Sequence, residues 1–309
     1  MKIGILEPDN FNTSAINFLQ KRDSVKLYDG TGIQDFLIDL DALFIRLKYK
    51  IDSSFLKSAQ KLKYICSPTT GHTHIDEKIT KNKNIKLITL RGEKDFLSTI
   101  RATPEHTFGL ILSILRNYKE CFLHTQSGGW DRDKFRGEEL FGNTVGIIGL
   151  GRVGFQVAEY CESFGAKVSY YDIYKEVNAK NAWTKQTSVL SLIKGSRIIV
   201  LCASFVNGEK PILNRNEIDY LENKFFVNTA RGELVDEGYL IKFIKENKIL
   251  GIGIDVIFDE LNQSSLNSWV NVARNRNVSL TPHIGGATDV SMHKTELFIA
   301  QKLIEMKNQ

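Results

Sequence analysis

The sequence predicts an α/β protein with two doubly wound parallel-sheet lobes, and three observations support that prediction. Short apolar runs rich in Val and Ile alternate with amphipathic stretches along the chain, which is typical of parallel strands joined by helical crossovers. This alternation starts twice, once at the N-terminus and again near residue 144. The 309 residues also exceed the size at which one hydrophobic core stops growing, roughly 250–300 residues.

The first lobe is predicted to contain four strands with short helices between them, and one longer helix follows it. Its strands are Lys2–Leu6, Ala42–Arg46, Lys63–Ser67 and Ile85–Leu90, and its helices are Ser14–Lys21 and Ser53–Gln60. The longer helix is expected over Pro104–Tyr118, with Thr103 as its cap. Pro104 would then stand at the first helical position, where its missing N–H has no partner to lose.

The second lobe is predicted as one doubly wound sheet of six strands. The strands are Thr144–Ile148, Lys167–Tyr171, Arg197–Leu201, Lys224–Asn228, Leu250–Asp255 and Asn277–Thr281, and the helices are Val153–Phe164, Ser188–Lys194 and Glu237–Glu246. The polar segment Gln126–Gly137 is predicted as a loop, and Val290–Met306 has helical spacing. We expect this last helix to return to the first lobe, which places the domains at residues 1–98 plus 287–309 and at 99–286.

Composition and charge exclude several classes of protein. The net charge of +5 is too small to predict nucleic-acid binding, and residues 1–96 carry most of it, with sixteen Lys and Arg against twelve Asp and Glu. No apolar run approaches the roughly 20 residues that span a bilayer, and Glu7 comes too early for a signal peptide. The four cysteines lie far apart without a CxxC motif, so we expect a cytoplasmic protein with no metal site.

The strongest motif is a glycine fingerprint between an apolar strand and a helix. Gly149, Gly151 and Gly154 have G-x-G-x-x-G spacing, which allows a tight turn, close approach of a pyrophosphate and close helix–strand packing. The next strand ends at Asp172, whose carboxylate can accept hydrogen bonds from ribose hydroxyls and disfavours a 2′-phosphate. The second lobe is therefore predicted to be a Rossmann domain that binds NAD in preference to NADP.

Further residues are assigned to the same cofactor site. The helix after the glycines presents unpaired N–H groups to the phosphates, and Arg152 stands where its side chain can contact the same anion. Val153, and Ala230 in a later loop, are also counted as cofactor-binding residues.

A set of polar side chains follows the last three strands, at the sheet edge where α/β proteins bind ligands. Arg231 follows the fourth strand, Asp255 and Glu260 come at the end of the fifth, and His283 follows the sixth. Arg can bind a substrate carboxylate with two hydrogen bonds, and His can transfer the alcohol proton. A carboxylate beside a His fixes its tautomer and raises the imidazole pKa. Taken singly, Arg231 also fits a salt-bridge partner and Glu260 a solvent-facing loop residue.

The combination of motifs resembles the D-isomer-specific 2-hydroxyacid dehydrogenase family, which includes D-3-phosphoglycerate dehydrogenase and glyoxylate/hydroxypyruvate reductase. The segments that carry the resemblance are Pro104–Thr107, Trp130 with Gly137–Leu140, Gly149–Gly154 with Asp172, Asn228–Gly232, Gly253–Glu260 and Thr281–Gly286. Only 26 residues follow His283, so the resemblance is to a short phosphoglycerate dehydrogenase without a regulatory domain.

The resemblance implies an NAD-dependent oxidoreductase that transfers a hydride between nicotinamide and C2 of a small D-2-hydroxy or 2-oxo acid. It makes Arg231, Glu260 and His283 the catalytic residues, and it assigns the nicotinamide carboxamide to Asp255. It also implies a homodimer formed through the cofactor domain and the long helix.

The resemblance further implies a substrate loop in the first lobe. Backbone N–H groups around Thr69, Thr70 and Gly71 can hold the substrate carboxylate. Lys48 and Lys50 fall where phosphoglycerate dehydrogenases place basic residues that bind phosphate, and they equally fit two lysines at a solvated strand end.

The sequence departs from the family pattern at two places, and it leaves two alternative functions possible. Leu201–Phe205 occupies a stretch usually written with His and Pro, and Leu261 stands where a Pro usually follows the Glu. The first alternative function is a glyoxylate/hydroxypyruvate or sugar-acid reductase of the same family. The second is a non-catalytic, NAD-sensing protein that resembles the family's transcriptional corepressors.

Overall fold

The computed structural model describes residues 1–174, 182–205 and 208–308. The chain divides into two compact units, Met1–Ile100 with Ala287–Gln309 and Arg101–Gly286. Across the described ranges, no helix combines the length and the apolar character needed to cross a bilayer.

The first unit is built on a parallel five-stranded sheet with the order β2-β1-β3-β4-β5. Its strands are β1 Lys2–Ile5, β2 Ser24–Leu27, β3 Ala42–Phe44, β4 Tyr64–Cys66 and β5 Lys86–Ile88. Its helices are α1 Thr13–Gln20, α2 Ile33–Leu37, α3 Glu77–Asn82, α4 Lys94–Ser98 and the C-terminal helix Asp289–Lys307. The predicted parallel α/β lobe is therefore confirmed.

Two predictions for this unit are wrong in detail. The edge strand β2 was not predicted, because three of its four residues are exposed and it carries no apolar run. The predicted helix Ser53–Gln60 is only a 3₁₀ turn, Phe55–Lys57. Its next residue, Ser58, donates its backbone N–H to the Gln34 side chain (3.2 Å), so the helical hydrogen-bond ladder does not continue.

The C-terminal helix packs into the core of the first unit, as predicted. Ile299, Ala300 and Leu303 are fully buried in one cluster with residues of β1, β3 and α1. Glu296, also fully buried, accepts hydrogen bonds from Arg46 Nη2 (2.6 Å) and from the Asn12 backbone N–H (2.7 Å). A buried ion pair and an apolar face therefore fix this helix to the unit.

The second unit contains a parallel seven-stranded sheet with the order β12-β11-β10-β9-β6-β7-β8. The strands are β6 Thr144–Ile148, β7 Lys167–Tyr171, β8 Thr184–Lys185, β9 Ile198–Leu201, β10 Phe225–Asn228, β11 Gly251–Ile254 and β12 Val278–Leu280. The helices are α5 Ala102–Leu115, α6 Tyr118–Gln126, α7 Arg152–Ser163, α8 Val189–Gly195, α9 Arg215–Asp219, α10 Glu237–Lys245 and α11 Gln263–Ala273. Strand order reverses between β6 and β9, which is the Rossmann arrangement.

Four elements of the second unit were not predicted. The sheet has seven strands rather than six because β8 adds a two-residue edge whose residues are both exposed. Helices α6, α9 and α11 were missed because each buries little of its surface: α6 has no buried residue, α9 has one and α11 has two.

The long helix also differs from its prediction at both ends. It begins at Ala102, and Arg101 precedes it without a side-chain cap, so Thr103 lies inside the helix and is not its cap. Pro104 is tolerated because the first turn contains N–H groups that have no helical partner. The helix ends at Leu115 since Asn117 adopts a left-handed conformation (φ 53°).

Candidate active site

The glycine loop between β6 and α7 has the geometry that a bound pyrophosphate requires. Gly149 has a φ of +89°, and a Cβ there would lie 2.5 Å from the Cα of Ala203. A Cβ at Gly154 would collide with the carbonyl oxygen of Gly149, whereas one at Gly151 would meet nothing within 4 Å. The first and third glycines are therefore needed for packing, and the second leaves open space beside the N-terminus of α7.

Asp172 stands at the end of β7, beside this loop. Its Oδ2 accepts a hydrogen bond from the backbone N–H of Leu150 (2.8 Å), and its Oδ1 accepts one from Tyr174 (2.8 Å). A carboxylate at the end of the strand after the glycine loop is the group that accepts hydrogen bonds from ribose hydroxyls in dinucleotide-binding folds. Asp172 is thus oriented by the backbone and is suited to bind ribose hydroxyls.

The other predicted cofactor residues also lie near this end of the sheet. Arg152 is the first residue of α7, and burial lowers its pKa, with the charge of Arg101 acting in the same direction. Val153 is half-buried against the core, and the Ala230 backbone N–H donates to the Asn228 side chain (2.9 Å). Together with the glycine loop and Asp172, these residues fit a dinucleotide.

His283 and Glu260 form a direct pair, with 2.7 Å between His283 Nδ1 and Glu260 Oε2. His283 has a φ of +53°, a left-handed conformation that is uncommon for a residue with a side chain. Its backbone N–H donates to the carbonyl oxygen of Asp255 (2.8 Å). The structure therefore brings together the His and the Glu that the sequence assigned to one site, and it holds the His in a constrained loop.

Asp255 is the buried centre of this loop. Its Oδ1 accepts hydrogen bonds from Thr281 Oγ1 (2.7 Å) and Ile284 N (2.8 Å), and its Oδ2 accepts one from Gly285 N (2.8 Å). His106 Nε2 lies 3.2 Å from Oδ1. Burial raises the pKa of Asp255, but these hydrogen bonds outweigh it and hold the pKa below its usual value. Asp255 thus orients the residues around His283, and Oδ2 accepts one hydrogen bond among the described residues.

Arg231 follows β10, the strand beside β11, and is presented by a braced turn. The Asn228 side chain donates to the carbonyl oxygen of Arg231 (2.9 Å). The guanidinium donates from Nη1 to the Ala230 carbonyl (2.5 Å), and in the described ranges its other N–H groups have no hydrogen-bond partner. Burial lowers the pKa of Arg231, and the charges of Glu260 and Glu233 act in the opposite direction. These free donors suit a carboxylate ligand.

Sequence reasoning missed three residues that support the site. His106, on α5, was noted only within a matching segment, because nothing in a helix sequence shows which strand end it faces. Asn228 ends a buried strand and is 1% exposed. An Asn at the end of an apolar run is a sequence feature that could have indicated a residue bracing the following turn. Glu237 accepts hydrogen bonds from the backbone N–H of Phe258, two residues before Glu260, and from the side chain of Trp269. These contacts arise from tertiary packing and have no signal in the sequence.

The predicted substrate residues of the first unit lie at the ends of β3 and β4. Thr69 Oγ1 donates to the Gly71 carbonyl (2.9 Å), while the backbone N–H groups of Thr70 and Gly71 donate no hydrogen bond within the part of the chain that the structure describes. Lys48 and Lys50 are exposed. The two free amides suit an anion, and the assignment of all five residues to substrate stays a prediction.

The glycine loop, the carboxylate at the end of β7 and the His–Glu pair define a dinucleotide-binding α/β enzyme. The chain belongs to the D-isomer specific 2-hydroxyacid dehydrogenase family: residues 108–285 match the NAD-binding domain of that family. NAD is therefore the cofactor of the second unit.

Relatives within the family carry different names. The chain is 29% identical to a D-3-phosphoglycerate dehydrogenase of Methanocaldococcus jannaschii, over 97% of this chain and 57% of that protein. It is 30% identical to a glyoxylate reductase of Thermococcus gammatolerans, over 87% of this chain and 80% of that protein. The chain thus spans little more than half of the phosphoglycerate dehydrogenase.

A solved structure shows the same fold. D-lactate dehydrogenase from Aquifex aeolicus, complexed with NAD and lactic acid, superimposes with a TM-score of 0.84 at 24% identity, covering 100% of this chain and 96% of that one. This likeness confirms the two-lobed α/β architecture.

Proposed function

We propose that the protein is an NAD-dependent dehydrogenase that interconverts small 2-oxo acids and D-2-hydroxy acids. The observation that carries this proposal is the 2.7 Å pair between His283 Nδ1 and Glu260 Oε2. Because Nδ1 faces the carboxylate, Nε2 is the nitrogen available to a substrate oxygen. A His held in this way can act as a general acid or base.

In the reductive direction, protonated His283 gives a proton from Nε2 to the oxygen on substrate C2. Glu260 stabilises the imidazolium before transfer and keeps the proton on Nδ1 afterwards. In oxidation, neutral His283 removes the hydroxyl proton instead. Bound NADH or NAD supplies or accepts the hydride at C2.

Arg231 binds the substrate carboxylate in this proposal. Its guanidinium is always charged and presents paired N–H donors that match two carboxylate oxygens. Asn228 braces the turn that carries it, so the substrate would be oriented as well as bound. Asp255 orients the His283 loop and also accepts a hydrogen bond from the N–H of the nicotinamide carboxamide.

The test is a screen of 2-oxo acids that follows the loss of NADH absorbance. Glyoxylate, pyruvate and 3-phosphohydroxypyruvate correspond to the activities named among the relatives, and hydroxypyruvate tests the reductase alternative that the sequence leaves open. Turnover of at least one of these acids is expected. Tight NADH binding without turnover of any acid would contradict the proposal and favour the corepressor-like alternative.

Phosphoglycerate dehydrogenase activity is the narrower proposal, and it depends on Lys48 and Lys50. If they bind a substrate phosphate, the double variant Lys48→Gln/Lys50→Gln raises KM for 3-phosphohydroxypyruvate about tenfold, since each exposed ion pair contributes up to about 1 kcal/mol. KM for glyoxylate should not change. A matched control replaces two other exposed lysines of the same unit, Lys57 and Lys61. Equal KM for the phosphorylated acid before and after substitution would remove Lys48 and Lys50 from the site.

We also propose that the protein is a homodimer formed through the second unit, in the cytoplasm. Helix α6 buries none of its residues. Two of its exposed side chains are large and apolar: Phe122 and Leu123 are 60% and 59% exposed. Trp130, four residues beyond this helix, is 93% exposed. Exposed apolar side chains grouped in one segment mark a protein contact, and a second copy of the chain is the partner that the family resemblance implies.

The double variant Phe122→Glu/Leu123→Glu should be monomeric in sedimentation equilibrium, because it places two charges in the dimer contact. Its fold should be intact since α6 contributes nothing to the core. Ile38→Glu, an exposed apolar residue of the first unit, serves as the control and should stay dimeric. A double variant that sediments as a dimer would refute this contact.

A further inference from the structure

The segment between β11 and α11 carries Glu260 to His283 without the Pro that usually follows the Glu. Its outer side is poorly packed, with Phe258 and Leu261 53% and 52% exposed. Asp259 is left-handed (φ 50°), and its carbonyl accepts the Asn262 backbone N–H (2.8 Å). The described contacts that hold this segment against the rest of the unit lie on its inner side.

The inner side is held by Glu237, the first residue of α10. Its Oε1 accepts the backbone N–H of Phe258 (2.8 Å), two residues before Glu260. Its Oε2 accepts Nε1 of Trp269 (3.1 Å), a side chain that is 1% exposed in α11. Glu237 therefore connects the Glu260 segment to two helices through one carboxylate.

Gly232 completes this hold. A Cβ at Gly232 would collide with the backbone of Ile257 and Phe258, so the segment lies directly on the turn that follows Arg231. The backbone at Phe258 is thus fixed from two sides, by the close approach to Gly232 and by the hydrogen bond to Glu237.

We infer that Glu237 is a positioning residue for the Glu260–His283 pair, and that its ionised carboxylate holds the Glu260 segment in place. A displacement of about 1 Å at a reacting group can lower a rate by about 10²-fold, so this hold matters to turnover. The kinetic consequence rests on the proposed dehydrogenase function, whereas the hydrogen bonds can be tested without it.

Glu237 changes its protonation state near neutral pH, where activity can be measured. Burial raises the pKa of Glu237 to about 7, the hydrogen bonds from Trp269 and Phe258 oppose that effect, and the charges of Glu233 and Glu260 add to it. Above this pKa both carboxylate oxygens accept hydrogen bonds. Below it one oxygen carries a proton, and one of the two bonds to the Glu260 segment or to Trp269 is weakened.

The sign of the stability effect follows from the raised pKa. The contribution of Glu237 to the free energy of unfolding is full below its ordinary pKa of 4.5 and is lost as the pH rises to about 7. The ionised carboxylate is thus disfavoured by the fold even though it positions Glu260. The variant Glu237→Gln lacks this titration, so its stability should decline less than that of the wild type between these two pH values.

The deciding experiment combines kinetics with amide hydrogen exchange. In glyoxylate reduction by NADH, kcat/KM of the wild type should rise as the pH approaches about 7, and Glu237→Gln should lose this rise and be about tenfold slower at its plateau. In the enzyme without ligands, Glu237→Ala should exchange the Phe258 amide about tenfold faster, the value of one charge-assisted hydrogen bond. Trp269→Phe removes the Nε1 donor without changing a charge. It should also speed exchange of the Phe258 amide and lower kcat/KM.

Asp236→Asn is the matched control. It removes one negative charge from the adjacent position and retains the cap of α10, since Asn is as good a cap as Asp, so both readouts should match the wild type. Unchanged exchange at Phe258 in Glu237→Ala, or an acid limb that persists in Glu237→Gln, would overturn the inference. If the wild type reduces no 2-oxo acid, the proposed function fails, while the exchange measurement still decides the role of Glu237.

Discussion

Replacing His283 with Ala should lower kcat for reduction of a 2-oxo acid by about 10²–10⁴-fold, the usual contribution of a general acid or base. In the proposed mechanism, His283 pairs through Nδ1 with Glu260 and presents Nε2 to the substrate oxygen. The variant should still bind NADH, because the glycine loop and Asp172 are unchanged. Steady-state kinetics with a fixed saturating NADH concentration measure the effect.

The control for this prediction is His293→Ala, which removes an exposed His from the C-terminal helix. Its kcat should equal that of the wild type. Near-normal turnover in the His283 variant would show that another group moves the proton, and the proposed mechanism would then be wrong.

Arg231→Lys should lower kcat/KM for a 2-oxo acid by roughly 10²-fold, mainly through a higher KM. The positive charge is retained, but the paired donors that hold two carboxylate oxygens are lost, and hydrogen bonds to charged groups contribute about 1.5–3 kcal/mol each. The control is Arg215→Lys, which changes an exposed Arg of the same unit that forms an ion pair with Asp236. It should leave kcat/KM unchanged. If Arg231→Lys kept the wild-type KM, Arg231 would not bind the substrate carboxylate.

The parts of the fold that were predictable are those whose burial is local. Strands β6 and β7 lie over the predicted residues, because each apolar run is bounded by polar residues and Gly. Strand β2 and helix α6 were missed since few or none of their residues are buried. Such elements form through neighbours that are distant in sequence, and their own pattern carries no signal.

The candidate site divides in the same way. Residues that follow strand ends, such as Arg231 and His283, can be placed together from the parallel topology alone. Their supports could not be predicted, because the contacts of Asp255 and Glu237 come from turns and helices whose approach is set by tertiary packing. The left-handed backbone of His283 is likewise visible only in the structure.

The most direct test of the central proposal is the configuration of the product. Hydroxypyruvate reduced by the wild-type protein with NADH should give D-glycerate, separated from L-glycerate by chiral chromatography, at a rate that His283→Ala lowers by about 10²-fold or more. Formation of L-glycerate, or no glycerate and no reduction of any other 2-oxo acid, would contradict the assignment of a D-2-hydroxyacid dehydrogenase activity to this chain.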